Sequence, residues 1–160
     1  AYGSNLHPRR LTARVPSARL RGTGLLPGRS LHFHKQGMDG SGKCNVLPDG
    51  HGVYVAVYTM DAADKPMLDQ IEHVGIGYEV AAVNVRGFGE CFTYFATETH
   101  IVDELAPYCW YHELVVQGCC FHDLPADYLA GVSAIARVRD PDKRRRRKNW
   151  NLIHSMRRST

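Results

Sequence analysis

Two short stretches of the chain carry residue types that can bind charge and move protons. Near its start stands Tyr2-Gly3-Ser4-Asn5-Leu6. A tight turn of this composition exposes consecutive backbone N–H groups that can hold an anion, with Gly3 allowing a bound group to come close to the main chain. Further on, Leu68-Asp69-Gln70-Ile71-Glu72 leads into His73-Val74-Gly75-Ile76-Gly77-Tyr78. Glu72, on a short helix that ends in a glycine-rich bend, is a candidate general base. Its spacing from Leu68 and Ile71 puts it beside an apolar helical stripe, where desolvation would favour a base active near neutrality. The same spacing suits a rim glutamate whose carboxylate reaches water, and the turn equally suits a plain connection from strand to helix. Residue types alone leave both pairs of readings open.

Other candidate constellations are weaker. His32 and His34 lie on one face of a short strand, opposite Leu31 and Phe33. An HxH pair can ligate a metal, but with no third ligand at a recognisable spacing two partly exposed histidines are the expected state. Residues 37–43 satisfy GxxxxGK, yet Cys44 stands where a phosphate loop needs Ser or Thr, and Asn45-Val46-Leu47-Pro48-Asp49-Gly50 cannot supply the helix that should follow. The match to a phosphate loop is a decoy. The five cysteines, Cys44, Cys91, Cys109, Cys119 and Cys120, are scattered and form no CxxC, which argues against a disulfide framework and a zinc ribbon. Adjacent Cys119 and Cys120 fall on a helix where neighbours point about 100° apart, so they are expected as small buried packing residues. No metal and no cofactor is expected.

The elements that must position these residues follow from periodicity and turn chemistry. Asn5 is placed to cap a helix over residues 9–13, with Pro8 tolerated in its first turn. Residues 20–25 and 31–33 read as strands broken by Pro27-Gly28, and residues 52–59 as a strand buried on both faces. Asp64 is the expected N-cap of the helix that ends at Glu72. Residues 78–85 and 90–97 alternate as two strands of a hairpin turning at Arg86-Gly87-Phe88-Gly89. A helix opening at Pro107 aligns Tyr111, Val115, Gly118 or Cys119, and His122 on one face, and Leu124-Pro125 separates it from a second helix over residues 126–138. Strands with helices at the ends suggest a mixed α+β fold.

The chain has 160 residues, 44% of them hydrophobic, which suits one domain with a real core. Its net charge of +4 is unevenly spread. Residues 1–136 hold 10 Lys and Arg against 14 Asp and Glu, a balance of −4, whereas residues 137–160 hold 10 against 2, or +8. The reading divides the chain into a domain over residues 1–138 and a basic tail over residues 139–160. Six consecutive basic residues, 143–148, repel one another and are expected to be disordered and solvated; nonspecific nucleic-acid contact through them is the second reading. Trp150, Leu152, Ile153 and Met156 nevertheless have a helical spacing that could dock back. No run of about 18 apolar residues exists and no leader is visible, so no membrane partner and a cytoplasmic location are expected. The chain begins at Ala1 inside what reads as a first strand, which leaves room for residues before it.

The YGSNL start and the later LD..E block, in this order and at this distance, resemble the gamma-glutamylcyclotransferase family, with its AIG2-like fold. The resemblance continues through Asp39-Gly40-Ser41-Gly42-Lys43 with Pro48 downstream, residues 53–58, Thr93-Tyr94-Phe95-Ala96, Trp110-Tyr111 with Gly118, and Leu124-Pro125 with Tyr128. It covers residues 1–136. Two departures are His73, where the family usually has Gly after the glutamate, and Val55, where it often has Gly in the middle strand. His73 could narrow the pocket or alter the glutamate, and Val55 would add bulk near a ligand.

The resemblance implies a small mixed, partly closed β-barrel with peripheral helices and a cavity at one mouth, and it reads residues 37–44 as a flexible glycine-rich segment ahead of the strand over residues 52–59. It implies a metal-independent enzyme in which the α-amine of a γ-glutamyl group attacks its own γ-carbonyl, releasing 5-oxoproline. Glu72 would be the general acid/base; Tyr2, Gly3, Ser4 and Asn5 would hold the substrate, its α-carboxylate on the turn; Tyr111 and Tyr78 would touch it. The partner is then a small γ-glutamyl molecule, with a γ-glutamyl amino acid as first reading. γ-Glutamyl amines or a γ-glutamyl-protected intermediate come second, and a non-catalytic metabolite binder third. Relatives specific for glutathione start YGSL, so Asn5 argues against that substrate.

Overall fold

The computed structural model describes residues 1–157. After the opening turn comes α1 (Pro8–Thr12), then β1 (Arg19–Leu26), β2 (Ser30–Gln36), β3 (Gly42–Leu47) and β4 (Val53–Thr59). They are followed by α2 (Lys65–Glu72), the hairpin of β5 (Tyr78–Val85) and β6 (Gly89–Ala96), and the helices α3 (Cys109–Phe121), α4 (Ala126–Ser133) and α5 (Lys143–Arg157). The result is mixed α+β, as the alternation of patterns predicts.

Among the described residues the strands pair as three antiparallel ladders, β1 with β4, β2 with β3 and β5 with β6. These pairings do not close into a barrel. The ladders are joined instead by single links. Arg86 N–H donates to Leu25 O at 3.0 Å, tying the β5–β6 turn to β1. On the other side Ala96 N–H donates to Asn45 Oδ1 at 2.9 Å, tying β6 to β3. Gly24 makes the first link possible, since a Cβ there would stand 2.5 Å from Val85 Cγ1 and 2.9 Å from Arg86 O. Any side chain at Gly24 would push the hairpin away from β1.

The glycine-rich stretch is a β-hairpin turn, not a flexible lead-in. Asp39 accepts from Ser41 N–H at 3.1 Å and Ser41 Oγ at 2.9 Å, and Lys43 Nζ reaches its other oxygen at 2.8 Å. The lysine of the apparent phosphate-loop pattern is therefore bound to Asp39 and lies over the Tyr111 ring, 4.5 Å from its centroid. The histidine pair is also more enclosed than expected: His34 is buried between Asn45 and Asp103, while His32 is half-buried. No described group of three or more His, Cys, Asp and Glu side chains could hold a metal. Cys119 is buried as expected, but Cys120, one step round the helix, is exposed.

Two caps differ from expectation. His7, not Asn5, precedes α1 and accepts Arg9 N–H on Nδ1 at 3.2 Å. Asp64 precedes α2 without capping it, its carboxylate taking Ser17 Oγ at 2.5 Å. The second helix of the C-terminal pair, α4, stops at Ser133 rather than Val138.

The basic stretch is the main correction. Residues 143–148, expected to be disordered, form the first half of α5, whose other half buries Ile153 and Met156 in the main core. Like charges do repel along this helix, but two things offset that. Burying an Ile and a Met contributes about 1.5–3 kcal/mol each. Asp140 also anchors the approach to the helix: fully buried, it accepts from Trp110 Nε1 at 2.7 Å and from Arg145 Nε and Nη2 at 2.7 and 2.6 Å. Burial alone would raise its pKa, but the bonds from Arg145 and Trp110 outweigh that and hold it at about 2. The far end of α5 meets the beginning of the chain, where Arg9 Nη1 donates to Ser155 O at 2.5 Å. No described helix is long and apolar enough to cross a membrane.

Candidate active site

α2 ends at Glu72 because His73 turns left-handed, φ 55° and ψ 48°, returning its N–H to Gln70 O at 3.2 Å while Val74 N–H reaches Asp69 O at 3.0 Å. A carboxylate in the last turn of a helix faces the negative end of the helix dipole. Arg14, just beyond α1, supplies the compensating charge. Its Nη1 lies 3.1 Å from Glu72 Oε1, and the same nitrogen donates to Asn5 Oδ1 at 3.1 Å. Asn5 in turn donates Nδ2 to Glu72 Oε1 at 2.9 Å. The asparagine expected to cap a helix thus orients the glutamate. Both bonds fall on Oε1, and among the described residues none falls on Oε2.

α2 is held against the β5–β6 hairpin by Asp69, which accepts from Lys65 Nζ at 2.5 Å and Tyr94 Oη at 2.7 Å. Slight burial would raise the Asp69 pKa, but these two donors hold it below the ordinary carboxylate value. Tyr94 also offers its carbonyl to the Tyr2 hydroxyl. One chain of contacts therefore links the opening turn, β6 and the helix that carries Glu72.

The opening turn is pressed against β3 and α3. A Cβ on Gly3 would stand 3.0 Å from Cys44 Cβ and 3.4 Å from Tyr111 Oη, which explains glycine at that position. Tyr111 accepts Cys44 N–H at 3.1 Å, and Tyr78 donates to Cys44 O at 2.6 Å. Burial raises the pKa of Tyr2, Tyr78 and Tyr111 well above the ordinary value, so all three hydroxyls stay neutral. Burial likewise pushes the Cys44 thiol up to about 12, which disqualifies it as a nucleophile at neutral pH. Among the described residues the backbone N–H groups of Gly3, Ser4 and Asn5 donate no hydrogen bond, and neither does the Ser4 hydroxyl.

All seven residues singled out in the sequence, Tyr2, Gly3, Ser4, Asn5, Glu72, Tyr78 and Tyr111, line one cavity of about 860 Å³. Val55 lines it too, whereas His73 does not. The histidine faces a separate cleft of about 110 Å³ beside Lys35 and His100, so it does not narrow the main cavity. Its left-handed backbone explains why glycine is the easier residue there. Sequence reasoning missed Arg14, whose partner lies 58 residues away, and Cys44, whose N–H donates to the Tyr111 hydroxyl and whose carbonyl accepts from that of Tyr78. Nothing local in the sequence marks either.

The whole chain has close structural counterparts. A solved gamma-glutamyl cyclotransferase superposes with a TM-score of 0.82 at 24% identity, covering 97% of this chain and 96% of that one. An uncharacterized human protein, loc79017, gives 0.78 at 25% identity, with 96% and 95% covered. YkqA from Bacillus subtilis gives 0.72 at 20% identity, with 86% of this chain matched to 54% of that one. These likenesses are of fold. Among curated proteins none matches the sequence significantly. The model of the AIG2-like family matches residues 52–132, which run from the start of β4 through α2 and the β5–β6 hairpin into α4. With half of its length matched, and with the strands and helix that carry Glu72 inside the match, the chain belongs to the AIG2-like family.

Proposed function

We propose that the protein is a gamma-glutamylcyclotransferase that releases 5-oxoproline from a γ-glutamyl amide. The observation that carries this reading is the position of Glu72. It lies on the wall of the cavity, fixed through one oxygen by Asn5 and Arg14. Its other oxygen is left for a substrate proton. The unbonded N–H groups of the opening turn and the Ser4 hydroxyl suit a substrate α-carboxylate. The likeness in fold to a solved gamma-glutamyl cyclotransferase agrees with it.

In this mechanism the substrate α-ammonium gives one proton to Glu72, and the amine so formed attacks the γ-carbonyl carbon. A ring C–N bond forms as the original amide C–N bond breaks. Glu72 returns its proton to the departing nitrogen. The second proton, shed by the ring nitrogen as it becomes an amide, ends on the freed amine as that becomes an ammonium, so charge balances. Nucleophile and electrophile belong to one molecule, so the site need only hold the attacking conformer, an orientation effect worth up to about 7–11 kcal/mol. The neutral tyrosines surround the substrate without competing for the proton.

The test is turnover of γ-glutamyl amino acids and amines, followed as 5-oxoproline by mass. Glu72→Gln keeps the hydrogen bond from Arg14 and should fold normally, yet lose about 100-fold or more in kcat. Undiminished turnover in that variant would refute the mechanism.

A further inference from the structure

The cleft of about 110 Å³ beside His73 shares no lining residue with the main cavity, and it is built around a charge that has no counterion. Lys35, on β2, lines it and is only 5% exposed. Among the described residues its ammonium makes no hydrogen bond and no ion pair; its one direct contact is with the Tyr78 ring, whose centroid lies 4.6 Å away. The carboxylates that could answer it are already bonded, Glu72 to Asn5 and Arg14, Asp39 to Ser41 and Lys43. Burial lowers the Lys35 pKa, and Glu72 and Asp39, opposing this from a distance, do not make up the loss. An ammonium enclosed in this way is costly until an anion joins it.

The fold reserves a place for that ammonium. A Cβ on Gly77 would stand 2.6 Å from Lys35 Nζ and 3.8 Å from His100 Cδ2, so only glycine lets the ammonium lie against the main chain here, and the His100 ring comes to the same point. Its Nδ1 is engaged by Thr97 Oγ1 at 3.0 Å and Thr99 Oγ1 at 3.1 Å, which leaves Nε2, next to Cδ2, for the cleft. When Thr99 donates to Nδ1, the ring hydrogen sits on Nε2. Lys35 and His100 then offer donors to one acceptor group. The rim, by contrast, is apolar. Met38 and Ile76, both lining this cleft, are 81% and 60% exposed, the two most exposed large hydrophobic side chains among the described residues. Such a patch around a cationic cleft suits a ligand with an anionic head and an apolar chain.

We infer that this cleft binds a short monocarboxylic acid, its carboxylate on Lys35 and His100 and its alkyl chain between Met38 and Ile76. One fixed positive charge matches one negative charge, which suits a carboxylate better than a phosphate dianion. The volume is the share of about four waters in the liquid, at about 30 Å³ each, so the cleft holds an acid of a few carbons and excludes a nucleotide. The inference stands apart from the cyclotransferase reading, because no residue of the main cavity takes part.

The experiment titrates sodium butanoate into the isotopically labelled full chain and follows amide shifts residue by residue, with acetate, 1-butanol and inorganic phosphate alongside. Butanoate should give saturable shifts centred on Gly77 and His100. It should bind at least threefold tighter than acetate, since a buried methylene strengthens binding up to about fourfold. Butanol, which lacks the charge, and phosphate should each bind about tenfold or more weakly than butanoate, and Lys35→Met should cost the acid about the same. Ile76→Ser, at an exposed position, should lower butanoate affinity to that of acetate, and it decides the question if the Lys35 variant fails to fold. Shifts centred on Gly3 and Ser4 instead, phosphate that binds as tightly as butanoate, undiminished binding by Lys35→Met, or butanoate that never saturates overturns the inference.

Discussion

Glu72 shows what a single residue owes to distant ones. Its place on α2 was legible because Leu68, Ile71 and Glu72 share a helical face, and because a glycine-rich bend follows. Its partner was not legible, because Arg14 reaches it only through the fold. Arg14 touches Glu72 and Asn5, so it is a positioning residue. Arg14→Gln should lower kcat about tenfold or more with little change in KM, and Arg14→Lys should recover part of the loss; equal effects on KM in both variants would point to general unfolding of the site instead. His73 offers a second test. A non-glycine residue in the left-handed region costs about 1–2 kcal/mol, while glycine loses about 0.4–1 kcal/mol more entropy on folding. His73→Gly should therefore stabilise the protein by up to about 1 kcal/mol in urea, without reducing turnover, because this side chain is outside the main cavity.

Among the elements, those with a clean period were legible and those with a confusing composition were not. The β5–β6 hairpin announces itself through alternation and the Gly87 and Gly89 turn, and it is found within a residue of its expected ends. β3 was hidden, since a short strand between Gly42 and Pro48 carries the marks of a loop, and its pairing with β2 depends on side chains of Asp39 and Lys43 that close the turn. α5 was concealed by its six basic residues, although the spacing of Trp150, Ile153 and Met156 already allowed docking. The latch at Asp140 gives α5 a pH dependence. Its folded pKa of about 2 lies below the ordinary 3.8, so the stability it contributes is present above about pH 4 and lost as pH falls towards 2. Linkage puts this at about 2 kcal/mol. Asp140→Asn should lose about that much at neutral pH and show a shallower fall in stability between pH 4 and 2. A fall in that window as steep as the wild type's would mean that another carboxylate governs it.

For the molecule as a whole, the sequence suggested a body and a tail, but packing runs across that division. Ile153 is fully buried and Met156 nearly so, and both belong to the same core cluster as Leu114 and Val115 of α3. A chain ending at residue 139 would lose these side chains and leave the Trp110 indole without its acceptor. It should unfold at least 10 °C lower than the full chain by calorimetry, or fail to fold, whereas a tail free in solution would leave Tm unchanged. The mixed fold was readable in advance from local patterns, whereas the meeting of the seven candidate residues in one cavity was expected only from the family resemblance. How three ladders meet was not legible, because it depends on Gly24 and Asn45, whose contacts are made far along the chain.

The contact between Arg9 and Ser155 joins residues 146 positions apart, and it bears on how the protein is made. On a ribosome, at about 5–20 residues per second, the opening turn emerges many seconds before α5 exists. Until then the N-terminal segment lacks this partner, and the main core lacks Ile153. Long-range closure of this kind slows folding. The nascent chain therefore spends most of its synthesis without this contact, and the opening segment gains it only when α5 is released.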